Sequence, residues 1–97
     1  GGVMSSGEFK AQKGLFAILE NFDFDAKCEI VGYQLVRVPR RQDPLIAANK
    51  GGGFNAEPRG LIDQAKAGDT YYFENVKAKC PGDASGRDIN QLVFKIN

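Results

Sequence analysis

The 97-residue sequence predicts a mainly β fold, an antiparallel sandwich of the immunoglobulin-like kind with one short α-helix. Three observations carry that expectation. The C-terminal stretch holds two strand-like runs, Thr70 to Cys80 and Asn90 to Ile96, joined by turn residues only. Phe22 to Ile30 alternates strictly between apolar and polar residues, as a half-solvated antiparallel strand does. Helical spacing is convincing only around Pro58–Ala67.

From the start, residues 1–7 are rich in Gly and Ser and read as a flexible linker remnant; residues 8–97 read as one C-terminal sandwich domain. Glu8 to Gln12 suggests a short strand with Phe9 and Ala11 on one side, and Lys13-Gly14 a turn. Leu15 to Leu19 is a continuous apolar run, read as strand for its aromatic and branched content. In the next strand Phe22, Phe24, Ala26, Cys28 and Ile30 share one face, opposite Asp23, Asp25, Lys27 and Glu29. The phase blurs after Val31, and Gly32 marks a bulge or bend. Tyr33 to Val38 continues as strand until Pro39.

Pro39 to Glu57 reads as a long irregular connection, with a helical turn within Leu45 to Asn49. In the helix from Pro58 to Ala67, Pro suits the first turn, Leu61, Ile62 and Ala65 form a narrow apolar stripe, and Gly68 supplies a C-terminal cap. Ten residues give a helix of about 15 Å, enough to cover part of one sheet face. In the final run Leu92, Phe94 and Ile96 face one way and Gln91, Val93 and Lys95 the other. A lone hairpin is marginal in water, so the rest of the chain has to cover its apolar side.

Composition narrows the function. A net charge of +1 carries no footprint of nucleic-acid binding. The longest apolar run, Leu15 to Leu19, is far below the roughly 20 residues that span a bilayer, and no signal peptide is recognisable. The expectation is an excised domain making no membrane contact of its own. Histidine is absent, which removes the commonest general base and metal ligand. No catalytic residue, cofactor site or metal site is assigned, and the domain is expected not to be an enzyme.

Several motifs have plainer readings. Asn49-Lys50-Gly51-Gly52-Gly53 could cradle an anion, but the P-loop order is missing and a flexible loop suffices. Asp83 to Asp88 carries oxygen ligands around a glycine but lacks the spacing of an EF-hand. Asp23 and Asp25 share a strand face with Lys27, which suits a solvated surface. Cys28 and Cys80 each fall on the apolar side of a strand. Joined, they would close a loop of about 50 residues and contribute about 4 kcal/mol; as free thiols they would be small core residues. Arg37, Arg40 and Arg41 form a basic cluster, and Lys77 and Lys79 share a strand face.

Several segments read together resemble one family. They are Phe9-Lys10-Ala11-Gln12, Leu19-Glu20-Asn21-Phe22-Asp23-Phe24-Asp25-Ala26 and Arg41-Gln42-Asp43-Pro44, then the strand from Gly68-Asp69-Thr70 to Lys77-Ala78-Lys79, and Leu92-Val93-Phe94-Lys95-Ile96. The sequence resembles the C-terminal domain of the GldM/PorM family of gliding-motility and type IX secretion proteins. That resemblance implies a periplasmic location and a parent anchored in the inner membrane by an N-terminal segment. It also implies a homodimeric rod of mostly β domains. The last domain would meet the outer-membrane-associated ring of GldK/PorK and GldN/PorN, with a GldL/PorL-type motor engaging the N-terminal part. Two cysteines in place of plainer apolar residues are compatible with an oxidising compartment.

The leading expectation is therefore a docking and force-transmitting module contacting partners through Arg40, Arg41 and Lys50, supported by Lys77 and Lys79. The rival is a self-contained adhesion or carbohydrate-binding sandwich stacking sugars on Tyr33, Tyr71 and Tyr72.

Overall fold

The computed structural model describes residues 2–15, 28–82, 87–89 and 91–97. In chain order these form β1 (Gly2–Met4), α1 (Ser6–Lys10), β2 (Glu29–Val38), β3 (Leu45–Lys50), α2 (Ala56–Asp63), β4 (Thr70–Lys79), β5 (Arg87–Ile89) and β6 (Leu92–Ile96). The strands make one six-stranded sheet in the order β1-β6-β4-β2-β3, with β5 also pairing β4. Pairing is antiparallel except where β1 runs parallel to β6. The fold is mainly β, as expected.

The C-terminal hairpin forms with its return strand in two pieces. Phe73 faces Leu92 and Val76 faces Ile89, so both pieces keep one register against β4. The expectation of turn residues alone from Pro81 to Asp88 is corrected at Arg87 and Asp88, which belong to β5. The bend expected at Gly32 is present. The β2–β4 register shifts on both sides of it. The buried face accordingly changes phase on both strands, from Tyr33 and Leu35 to Ile30 on β2 and from Tyr71 and Phe73 to Val76 and Ala78 on β4. On β4 the change falls at Asn75, whose φ is 52°.

Against the inner face of the sheet lie Phe9, Leu15, Ile62 and Ala65, all buried. Phe9 and Tyr71 rings meet at 4.6 Å, and Phe73 meets Phe94 edge-on at 5.9 Å. Arg59 fastens the two helices: it donates to the carbonyls of Gln12 (2.8 Å) and Lys10, pairs with Asp63, and lies over the Phe54 ring.

Four expectations are corrected. Glu8 to Gln12 is not a strand: Ser5 Oγ accepts the Glu8 N–H at 3.2 Å and caps α1, a Ser-x-x-Glu spacing present in the sequence. Residues 2–7 are not a bare linker, since Gly2–Met4 pair with β6 through backbone bonds that side-chain pattern does not signal. Leu45–Lys50 is not a helical turn but a strand paired with β2. There Ala47 and Asn49 are buried while Ile46 is 59% exposed, so burial runs against polarity and hides the alternation. Finally, α2 stops at Asp63, because Arg37 takes the Gln64 carbonyl (3.2 Å) and the Asp69 carboxylate takes the Lys66 N–H (3.0 Å). Gly68, with φ +96°, serves the turn into β4 instead of capping the helix. The strand read at Phe22 to Ile30, the run Leu15 to Leu19 and the Asp83 to Asp88 loop lie wholly or largely outside the described residues.

Candidate functional site

β2 and β3 form a hairpin whose pairing ends at Arg37–Leu45, and the turn between them presents Arg40 and Arg41, both exposed. Arg41 holds φ 59°, unusual for a residue with a Cβ. The Arg40 side chain lies across Gly68, where any Cβ would collide with it. This turn is therefore set against the loop that precedes β4.

Lys50 does not join that group. It lies opposite Gly32, and Gly32 lies opposite Lys77. Lys50 and Lys77 thus share one cross-strand row, about 10 Å apart at two strand spacings. Their row is about 20 Å along β2 from Val38. Lys79 lies close by, across from Glu29, and Lys77 is across from Asp88. The structure accordingly divides the five expected contact residues into a basic turn, Arg40 and Arg41, and a lysine group in which Lys77 and Lys79 face acids on neighbouring strands and Lys50 faces Gly32.

Arg37 belongs to neither. It is 5% exposed, and its guanidinium pairs with the Asp69 carboxylate at 2.8 Å and donates to Gln64 Oε1 at 3.0 Å. The available signal was its phase, since Arg37 follows Tyr33 and Leu35 at every second position. Beside it the Tyr71 hydroxyl donates to the Leu61 carbonyl at 2.5 Å, and burial pushes that phenol up to about 12, with Arg37 opposing.

At the far end of the β2–β4 ladder Cys28 and Cys80 are joined as a disulfide one step beyond the Glu29–Lys79 pair. The Asn49-to-Gly53 segment, read as a flexible loop, is held from within. The Asn49 carboxamide donates to the carbonyls of Gly51 (3.0 Å) and Gly53 (2.8 Å) and accepts the Asn55 N–H (2.7 Å). Of the three tyrosines considered for sugar stacking, Tyr33 and Tyr71 are buried and Tyr72 is half-buried.

The outer face of the sheet carries one apolar row, in which Ile46 faces Val36, Val36 faces Tyr72, and Tyr72 faces Val93. Beside it β3 has no strand partner on its far side among the described residues.

These features define a small, mainly β domain whose exposed chemistry is spread over a basic turn, a sheet face and a strand edge with no partner among the described residues. Residues 1–97 match the family model described as the GldM C-terminal domain. The chain belongs to that family, and with it to the gliding-motility and type IX secretion machinery. No curated protein matches it.

Proposed function

We propose that this domain is a non-catalytic, periplasmic docking and force-transmitting module of the trans-envelope gliding-motility and type IX secretion complex. Its partners are the GldK/PorK- and GldN/PorN-type proteins of the outer-membrane-associated ring. The parent protein is a homodimer anchored in the inner membrane, engaged by a GldL/PorL-type motor through its N-terminal part.

The observation that carries the reading is the exposed Arg40–Arg41 turn mounted on a ladder fastened at both ends, by Arg37–Asp69 and by Cys28–Cys80. Load entering the turn passes into β2 and β4 through side-chain and covalent ties. A loop held out from a rigid scaffold is the usual seat of partner recognition. The test is capture of the ring proteins by this domain and by an Arg40→Glu/Arg41→Glu variant. The expected result is capture by the parent domain and its loss in the variant; equal capture by both removes the turn from the interface.

A further inference from the structure

We infer that the edge of β3 that no described strand pairs receives an extended, acid-flanked segment of a partner protein as an added strand. The Gly51 N–H donates to the Val31 carbonyl at 2.8 Å, which fixes the hydrogen-bonded pairs of the β2–β3 ladder. Alternation in an antiparallel pair then turns the N–H and C=O groups of Leu45, Ala47 and Asn49 toward β2, and those of Ile46 and Ala48 away from it. No described residue bonds to those outward groups, so they form a template for a further strand. Pro, bulge and charge, the usual guards of an exposed edge, are absent between Leu45 and Asn49.

Side chains define what the added strand carries. Leu45 is 40% exposed and Ile46 59% exposed, on opposite sides of the strand. Ile46 heads the outer row of Val36, Tyr72 and Val93, so an apolar residue beside it would lengthen that row by one strand. Charge decides between a foreign strand and a second copy. Arg40 and Arg41 stand at one end of β3 and Lys50 at the other, with Asp43 the single acid between. A two-fold β3–β3 contact would bring the Lys50 end of each copy to the arginine end of the other, and like charges there oppose it. A segment with acids at both ends meets cations at both.

This inference rests on the docking reading for its biological meaning, but it is tested without any ring protein. The probe is a blocked synthetic peptide, Asp-Glu-Thr-Val-Thr-Val-Thr-Val-Glu-Asp, titrated into the 97-residue chain with amide exchange followed residue by residue. Exchange at the Ile46 and Ala48 amides should slow by roughly tenfold or more on saturation, as free donors become bonded. Ala48→Pro removes one outward donor and leaves the β2 bonds intact, so it should weaken binding by roughly tenfold or more with little change in Tm. Ile46→Glu, which keeps every backbone donor, is the second variant and should weaken binding by removing the apolar contact and repelling the acidic flanks of the peptide. Absence of peptide binding, protection appearing elsewhere, or unchanged affinity in both variants overturns the inference. So does peptide-independent protection of the same amides accompanied by a doubled mass in sedimentation, which would make the occupant a second copy. None of these results bears on whether Arg40 and Arg41 contact the ring.

Discussion

At the Val38–Thr70 end of the β2–β4 ladder the chain is held by a buried ion pair; at the Glu29–Lys79 end it is held by a disulfide. The two ties act on different states of the protein. Arg37 and Asp69 lose water on burial and recover it only through complete pairing, so their net stabilisation is modest although losing one partner is costly. The disulfide restricts the unfolded chain and acts whether or not the native contacts around it are good. The ion pair also organises its surroundings: it holds Gln64 and Lys66, ends α2 and sets the loop over which Arg40 lies. At the covalent end the tie is one bond, between Cys28 and Cys80. One end specifies structure; the other resists its loss.

The largest test of that contrast is Arg37→Met. It leaves the Asp69 carboxylate buried without its cation, and urea unfolding should register a loss of about 3–5 kcal/mol. Arg37→Met combined with Asp69→Leu should recover most of that loss, because no charge is then stranded. A single variant costing under about 1 kcal/mol would mean the pair is solvated, and the contrast would fail. At the other end, Cys28→Ser/Cys80→Ser should cost about 2–4 kcal/mol. Amide exchange should rise near Glu29 and Lys79 first and leave the Arg37 end protected. Equal opening along the ladder would show that the two ends are not independent.

A smaller effect separates them by pH. Tyr71 lies beside the ion pair with its phenol raised to about 12, and burial also raises Tyr33, whose hydroxyl has no partner among the described residues. Both contribute stability that is fully present below the unfolded value near 10 and is lost as pH rises through the folded values. Between pH 10 and 12 the loss from Tyr71 should be on the order of 2 kcal/mol. Tyr71→Phe should flatten its share of that slope; a fall of the same steepness in the variant would assign the titration elsewhere.

How much of this was legible follows from where side-chain pattern and backbone geometry agree. Thr70 to Lys79 with Leu92 to Ile96 could be read because turn residues bound them and Leu92, Phe94 and Ile96 alternate. Gly32 announced the bend. β3 could not be read, since a buried Asn49 beside an exposed Ile46 inverts the usual rule, and Asn49 is inside only because its carboxamide serves Gly51, Gly53 and Asn55. β1 was hidden because backbone pairing alone makes it a strand. α1 was read as a strand, although Ser5 and Glu8 carry its capping spacing. Among the site residues, Arg40 and Arg41 were placed together, but the division of Lys50 from them depends on a hairpin that sequence concealed. Arg37 was in phase with the core all along, and its partner Asp69, which follows a turn glycine, gave no hint of burial.

The smallest effect lies midway between the two ends, at Asn75. This residue adopts φ 52°, and beyond it the inward positions of β4 move from Tyr71 and Phe73 to Val76 and Ala78. A one-residue slip in a strand turns every later side chain to the other face, and the irregularity accommodates the burial of Val76 and Ala78. It is matched by the shift on β2 around Gly32. Ten positions therefore separate Val38 from Cys28 and also Thr70 from Cys80, and the cysteines meet in the register that pairs Val38 with Thr70. Asn75→Gly keeps the left-handed backbone and should change stability by less than about 1 kcal/mol. Asn75→Val places a β-branched residue where one is strongly disfavoured and should cost about 1–2 kcal/mol in urea unfolding. Thiol titration of both variants after oxidative refolding should find no free cysteine, because burial of Val76 and Ala78 holds the register even when the backbone at Asn75 is strained. Free thiols in the valine variant alone would mean that Asn75 itself sets the register, and that the covalent end of the ladder depends on a backbone conformation at its middle.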